Sequence, residues 1–241
     1  MGKILFITGT GTDVGKSTVS LAVSLWARSR SLGVAYCKPV QCGTFPFGDP
    51  PSPHGDAEWV QAKSPGLSVR VTYRYENPVS PHLAAEWEET PITPERIRAD
   101  LHDLKKSHDL VVLEGVGGAA VPLDRRGTSL AALVTDMALP SLLVCAPGMG
   151  TLHHTLATFA YLRSLTARMA GFVFCHCEPL SPSMAKDNIA TLGALTGMDF
   201  WGEVPHCPGL VAPGPLDSAE AETLMSPLLP SLDRWWKQSR T

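Results

Sequence analysis

The sequence predicts an α/β fold, a mainly parallel sheet with helices on both faces in a Rossmann-like three-layer arrangement. Short apolar runs of strand length alternate with longer helical patterns along nearly the whole chain. The first run, Ile4-Leu5-Phe6-Ile7, passes through a small-residue turn into a helical stretch, an order suited to holding a phosphate. With 241 residues, 44% of them hydrophobic and 18% charged, the chain can bury a full core, so residues 1–241 are expected to form one domain.

Taken in order, strands are expected at Lys3 to Thr8, Val34 to Lys38, Leu110 to Glu114, Ser141 to Ala146, Gly171 to Cys177 and Trp201 to Val204. Helical patterns fall between them at Lys16 to Ser31, Asp56 to Lys63, Pro81 to Glu88, Thr93 to Ser107 and Leu130 to Asp136. They continue at Thr151 to Arg168, Ser183 to Leu195 and Ser218 to Trp236. Thr93-Pro94 reads as a cap followed by proline at the first helical position. The proline-rich stretch from Gly43 to Gly55 breaks the alternation and reads either as a surface loop or as a lid over a substrate.

A net charge of −3 offers no general attraction to nucleic acid or to an anionic membrane, and Lys105-Lys106 and Arg125-Arg126 read as solvated pairs. Met1-Gly2-Lys3 leads straight into the first strand, and no apolar run is long enough to span a bilayer, so a cytoplasmic location is expected. The six cysteines sit mostly in or beside apolar runs, as reduced thiols do.

Gly9 to Thr18, Gly-Thr-Gly-Thr-Asp-Val-Gly-Lys-Ser-Thr, is a P-loop in which Gly9 stands one position earlier than the strict pattern asks. Its backbone N–H groups, from Thr12, Asp13, Val14 and Gly15 into Thr18, are suited to a polyphosphate at the positive end of a helix dipole. Lys16 bridges the terminal phosphates, and the Ser17 hydroxyl is placed for magnesium. Ligands of open α/β sheets gather at the carboxyl ends of the strands. Lys38 ends the second strand, where an ammonium stabilises a transferring phosphoryl group; alternatively it is an ordinary surface lysine. Asp56 opens a helical pattern and reads either as a cap or, with Ser17 and Glu114, as part of a magnesium site. Glu114 follows four apolar residues and precedes Gly115-Val116-Gly117-Gly118, whose glycines leave room for a ligand against the backbone.

This constellation resembles the dethiobiotin synthetase family. The resemblance runs through Gly9 to Ser17, Lys38-Pro39-Val40, Asp56, Ser80-Pro81-His82, Glu114 to Gly118, Gly150 to His154 and Gly202-Glu203-Val204-Pro205. It implies an enzyme that takes 7,8-diaminononanoate, carbon dioxide and ATP with magnesium, and releases dethiobiotin, ADP and phosphate. It further implies a homodimer with the active site at the interface. A carbamate on one amine would be phosphorylated to a mixed anhydride, which the second amine attacks to close a cyclic urea. That chemistry needs charge neutralisation and alignment more than a protein nucleophile.

By the same resemblance, Thr12, Lys38, Cys42, Gly150, Thr151, Leu152 and His153 contact the substrate, its carboxylate meeting the helix that starts at Thr151. Gly115, Val116, Gly117, Cys175, His176, Pro205, His206 and Cys207 join the loop around the nucleotide. Three positions depart from the family pattern: Cys42 replaces a hydroxyl residue, His153 an asparagine, and Cys175 the asparagine that reads adenine. A thiol at position 42 bonds weakly and reacts only if its thiolate is favoured. Without the amide at position 175, other nucleoside triphosphates are expected to substitute for ATP.

Other readings stay open. Cys175, His176, Cys177, His206 and Cys207 are possible zinc ligands but lack the paired spacing of structural sites. His153-His154 also reads as a surface pair, and Trp235-Trp236 as a packed helix or dimer contact. A partition-type switch ATPase shares the deviant loop, although Gly9 to Val14 lacks that group's extra lysine. A catalytically silent nucleotide sensor is the third possibility.

Overall fold

The computed structural model describes residues 2–43, 55–176 and 182–238. Most of the proline-rich stretch expected as a loop or lid therefore lies outside the described residues, as does Cys177. The strands are β1 (Lys3–Gly9), β2 (Val34–Gln41), β3 (Ser68–Arg74), β4 (Leu110–Glu114), β5 (Pro140–Cys145), β6 (Arg168–Cys175) and β7 (Phe200–Val204). They form one sheet in the order β3-β2-β4-β1-β5-β6-β7, and every neighbouring pair is parallel. The helices are α1 (Lys16–Ser29), α2 (Asp56–Lys63), α3 (Pro81–Trp87), α4 (Pro94–Ser107), α5 (Leu130–Asp136), α6 (Thr151–Ser164), α7 (Pro182–Thr196), α8 (Ser218–Met225) and α9 (Leu229–Gln238).

Side-chain alternation sorts each central strand between two cores. In β1, Ile4 and Phe6 pack with α4, α5 and α6, while Leu5 and Ile7 pack with α1, α2, α8 and α9. Val111 and Leu113 of β4 join the first core, and Leu110 and Val112 the second. Burial of each such side chain contributes about 1.5–3 kcal/mol, so the period-two pattern fixes the register as well as the layers. Trp235 and Trp236 belong to the second core and its edge. The Trp236 carbonyl accepts from Lys3 Nζ at 2.6 Å, and Trp26 Nε1 donates to Asp233 at 2.9 Å, so α9 is pinned to the body as a packed helix.

Three expectations need correction. Ser68–Arg74 is a strand at the sheet edge that the apolar-run criterion missed, since only alternate residues are apolar and both arginines are exposed. The helix after β5 ends at Ser164, not Arg168, because Thr166 turns the chain at φ +60° into β6. Thr93 does take the N-cap position before Pro94, but it does not cap with its hydroxyl, which bonds Tyr73 Oη at 2.9 Å. No helix among the described residues is long and apolar enough to cross a membrane.

Candidate active site

The loop between β1 and α1 wraps over the start of the helix, with Asp13 at φ +57° and Gly15 at φ +91°. Gly9 accounts for the shifted glycine of the motif. A Cβ there would stand 2.7 Å from Val14 Cγ2 and 3.1 Å from the Lys16 stem, so only glycine lets the loop fold back so closely. Thr10 keeps its ladder bond, donating to the Val144 carbonyl at 3.0 Å. Val14 is buried in the core, which leaves only its main chain to meet a ligand.

A cleft of about 890 Å³ opens beside this loop. Its walls include Thr12, Asp13, Gly15, Lys16, Ser17 and Thr18, then Lys38 and Cys42 from the end of β2, and Asp56 and Trp59 from α2. Ser80 and Pro81 at the start of α3 and Val116 and Gly117 after β4 also line it. Sheet register explains why Lys38 and Glu114 meet. Cys37 pairs with Leu113, so the next residue of each strand lies abreast at the carboxyl end.

There the Lys38 ammonium donates to Glu114 Oε1 at 2.7 Å and to the Gly115 carbonyl at 2.9 Å, and lies 2.5 Å from Asp56 Oδ2. Ser17 Oγ stands 2.8 Å from Asp56 Oδ1 and 2.9 Å from Glu114 Oε1. Tyr36, two residues before Lys38, donates its hydroxyl to Glu114 Oε2 at 2.9 Å. Glu114 and Lys38 are almost wholly buried, whereas Asp56 is half-exposed at the cleft mouth. Lys38 is therefore no surface lysine, and Asp56 is no cap: Gly55 holds the N-cap position, and the Asp56 carboxylate is spent on Lys38 and Ser17.

The electrostatics follow from this packing. Burial alone disfavours the Lys38 ammonium, but Glu114 and Asp56 outweigh it and raise its pKa well above the usual lysine value. Burial likewise favours the neutral acid at Asp56, yet Lys38, Ser17 and Lys16 together hold its carboxyl below the usual range. Lys16 is pushed the other way, its pKa lowered by burial and then by the Lys38 charge, and its Nζ donates to the Gly11 carbonyl at 2.7 Å. Glu114, Asp56 and Asp13 act in the opposite direction without offsetting this, so the ammonium is left under-compensated and suited to an anionic ligand. The donors around Ser17 are hard oxygens, a hydroxyl and two carboxylates within hydrogen-bond reach of one another, which suits magnesium better than a softer metal.

Several expected contacts do not meet in the cleft of one chain. Gly150, Thr151, Leu152 and His153 begin α6, which follows β5 on the far side of β1 from β2 and β4. Thr151 is buried with its hydroxyl lacking a hydrogen-bond partner, Leu152 packs partly on the core, and His153 is exposed beside His154. The thiols of Cys175 and Cys207 are turned into the second core, so they offer a nucleotide nothing but main chain. A residue at a strand end is legible in sequence, but the face it takes is set by register. His176 Nε2 bonds Glu203 Oε2 at 2.8 Å, Pro205 is half-buried and His206 is exposed.

Among the described residues no cluster of three or more His, Cys, Asp or Glu side chains is placed to hold a metal ion, which leaves the zinc set without support there. Burial pushes the Cys42 thiol up to about 11, with Lys38 acting against that, so the fold disfavours a thiolate there. Tyr36 and Gln41, whose buried side chains organise the acids, were not legible as site residues from sequence: Tyr36 lies inside an apolar run, and Gln41 lies beyond Lys38, where the strand was expected to end, whereas β2 continues to Gln41.

Comparison with known proteins separates the readings that share this architecture. The AAA domain family model matches residues 3–214. The ATP-dependent dethiobiotin synthetase of Rhodococcus jostii is 36% identical over 216 residues, 87% of this chain and 89% of that protein. That of Streptomyces coelicolor is 34% identical over 226 residues, 93% of each chain, and that of Geobacillus kaustophilus 32% over 213 residues, 87% and 88%. Among solved structures, the septum site-determining protein MinD with Mg-ADP from Pyrococcus horikoshii superposes with a TM-score of 0.61 at 14% identity, covering 99% of this chain and 98% of that one. The MinC:MinD complex of Aquifex aeolicus gives 0.61 at 11%, covering 98% and 96%. The cell-division ATPases thus share the fold, whereas sequence kinship lies with the ligases. By the extent and identity of these matches, the chain belongs to the AAA domain family and, within it, to the ATP-dependent dethiobiotin synthetases.

Proposed function

We propose that this chain catalyses the ATP-dependent carboxylation and ring closure of 7,8-diaminononanoate with carbon dioxide, giving dethiobiotin, ADP and phosphate. The observation that carries this is the convergence of Lys38, Ser17, Asp56 and Glu114 beside the P-loop, in a chain 36% identical to a named synthetase.

A carbamate oxygen and a γ-phosphate are both anionic and repel until cations stand between them. Lys16 and Lys38 reach the same cleft from two different elements, so they bracket the region where the two anions must meet. Ser17, Asp56 and Glu114 would hold magnesium, which when bound neutralises phosphate charge. Lys38 donates toward the oxygens that gain charge as the phosphoryl group transfers, a contribution of about 3 kcal/mol in a water-poor cleft. The carbamate oxygen attacks the γ-phosphorus and ADP leaves. The second amine then attacks the carbamate carbon, the phosphate departs, and the amine's proton goes to it or to water. Thr12 and Cys42 line the cleft where the diamine would lie, and their hydrogen bonds orient it.

The active species is read as a cytoplasmic homodimer in which Gly150, Thr151, Leu152 and His153 of one copy receive the substrate carboxylate at the cleft of the other. The start of α6, which no side chain caps, and the unpartnered Thr151 hydroxyl support this role. Base choice is expected to be relaxed, since no side-chain amide stands at position 175 and its thiol is buried.

The test is to mix protein, diamine, bicarbonate and magnesium with ATP, CTP or GTP and to identify the product by mass. Formation of the cyclic urea supports the assignment, and comparable yields with the three nucleotides support relaxed base choice. Nucleotide hydrolysis without a urea would return the chain to the switch-ATPase reading, and binding without turnover to the sensor reading.

A further inference from the structure

The half-exposed Asp56 is the first residue of α2, an eight-residue helix too short to hold itself in place. Its first turn is capped from outside. Gly55, at the N-cap, has no side chain to accept from the N–H groups of the first turn. Gln41, the last residue of β2 and 2% exposed, takes over that role. Its Oε1 accepts from the Ala57 N–H at 2.9 Å and its Nε2 donates to Glu58 Oε2 at 2.8 Å, so one amide grips the residues that follow Asp56. A Cβ on residue 55 would lie 2.1 Å from Gln41 Nε2, so glycine there leaves room for the borrowed cap. Glu58 is in turn tied to Arg74 at the end of β3, and the Gln41 carbonyl accepts from Tyr75 at 2.8 Å. The grip is therefore continuous with the sheet that carries Lys38.

We infer that Gln41 is a positioning residue for Asp56, fixing the first turn of α2 so that this carboxylate stays within reach of Ser17 and Lys38. The consequence falls on cation binding. Asp56 and Glu114 repel each other, and the more exposed of the two is free to swing outward unless its backbone is held. With the cap removed, Lys38 still pairs with the buried Glu114, and the oxygen set around Ser17 loses one carboxylate. This rests on the proposal that Asp56 helps to hold the divalent ion.

The experiment titrates Mn²⁺ by electron paramagnetic resonance into protein saturated with ADP, comparing wild type with Gln41→Met, Gln41→Asn and Asp56→Asn. Methionine keeps the volume and removes both hydrogen bonds; asparagine keeps a polar group but is too short to reach Ala57, so it serves if the methionine variant does not fold. Both Gln41 variants are expected to bind Mn²⁺ about tenfold more weakly. Gln41→Met combined with Asp56→Asn is expected to be no weaker than Asp56→Asn alone, because both changes remove the same ligand. The exchange Gln41→Glu with Glu58→Gln, which keeps an acceptor for Ala57 and reverses the bond between residues 41 and 58, is expected to recover wild-type affinity. Unchanged Mn²⁺ affinity in the Gln41 variants, losses that add to that of Asp56→Asn, or no recovery in the exchange would overturn the inference. Unchanged affinity in Asp56→Asn itself would instead remove the cation role from Asp56.

Discussion

The Tyr36 hydroxyl donates to Glu114 Oε2 at 2.9 Å, from the strand beside the one that carries the carboxylate. Glu114 is wholly buried, and its other oxygen accepts from Lys38 and stands within reach of the Ser17 hydroxyl, whose single proton it shares with Asp56. Burial and the neighbouring carboxylates push the Tyr36 phenol well above its usual pKa, so it remains a donor at any working pH.

Replacing Tyr36 with phenylalanine leaves that oxygen in the core without a donor. An unsatisfied buried acceptor costs about 1–3 kcal/mol, and more when charged. The denaturant midpoint of the Tyr36→Phe protein should fall accordingly with an unchanged m-value. An unchanged midpoint would mean that another donor takes over.

Lys38→Met removes the only ammonium that the described residues place between Asp56 and Glu114. Loss of about 3 kcal/mol of transition-state stabilisation lowers kcat by about two orders of magnitude, while KM for ATP changes little because the P-loop remains. A parallel loss of stability is expected, since two carboxylates are left uncompensated. Steady-state kinetics alongside chemical denaturation measure both. Wild-type turnover in this variant would take Lys38 out of the reaction.

The pH dependence has a definite sign. The Asp56 carboxyl is depressed in the folded state, so its pairing stabilises the protein above the ordinary carboxyl value near ~3.9 and is lost as pH falls through the depressed one. The Lys38 pKa is raised, so its contribution is complete below about 10.4 and is lost only as pH rises through the higher folded value. The unfolding free-energy difference between wild type and Asp56→Asn should therefore be flat from about pH 5 to 8 and shrink below about pH 4. A difference that grows on acidification would contradict the pairing.

Lys16 is a cation whose charge the fold disfavours, with burial as the larger cause and Lys38 the next. Its pKa is lower in the folded state, so below the ordinary lysine value the charged group destabilises the nucleotide-free protein. Lys16→Met is expected to melt no lower than wild type without nucleotide and to lose the rise in Tm that Mg-ADP gives wild type. Differential scanning calorimetry with and without nucleotide decides it; a lower Tm without nucleotide would mean that the bond to Gly11 matters more than the desolvation.

Most of the fold was legible because strands buried on both faces write continuous apolar runs, as Leu110 to Leu113 do. The edge strand from Ser68 was not, because one exposed side leaves only Val69, Val71 and Tyr73 as a period-two signal. Lys16, Ser17, Lys38, Asp56 and Glu114 were legible for a related reason. Lys16, Ser17 and Asp56 stand where a helix begins and Glu114 where an apolar strand ends, while Lys38 interrupts a strand that runs on to Gln41, and parallel strands bring such positions together. Tyr36, inside its strand, and Gln41, at the end of a strand that was expected to stop at Lys38, were not marked out, since their roles come from register and from a glycine fourteen residues after Gln41. For Cys175, at the end of β6, and Cys207, beyond the end of β7, the face that the thiol takes was not readable: both are buried in the second core.

The most direct test of the account follows ADP release in single turnovers with ¹³C-bicarbonate, with and without the diamine. ADP should appear only when both the diamine and bicarbonate are present, in step with ¹³C entering the urea carbonyl, because the carbamate is the phosphoryl acceptor. ADP released at the same rate without diamine would mean that water is the acceptor and that Lys38 and its carboxylates serve a different reaction.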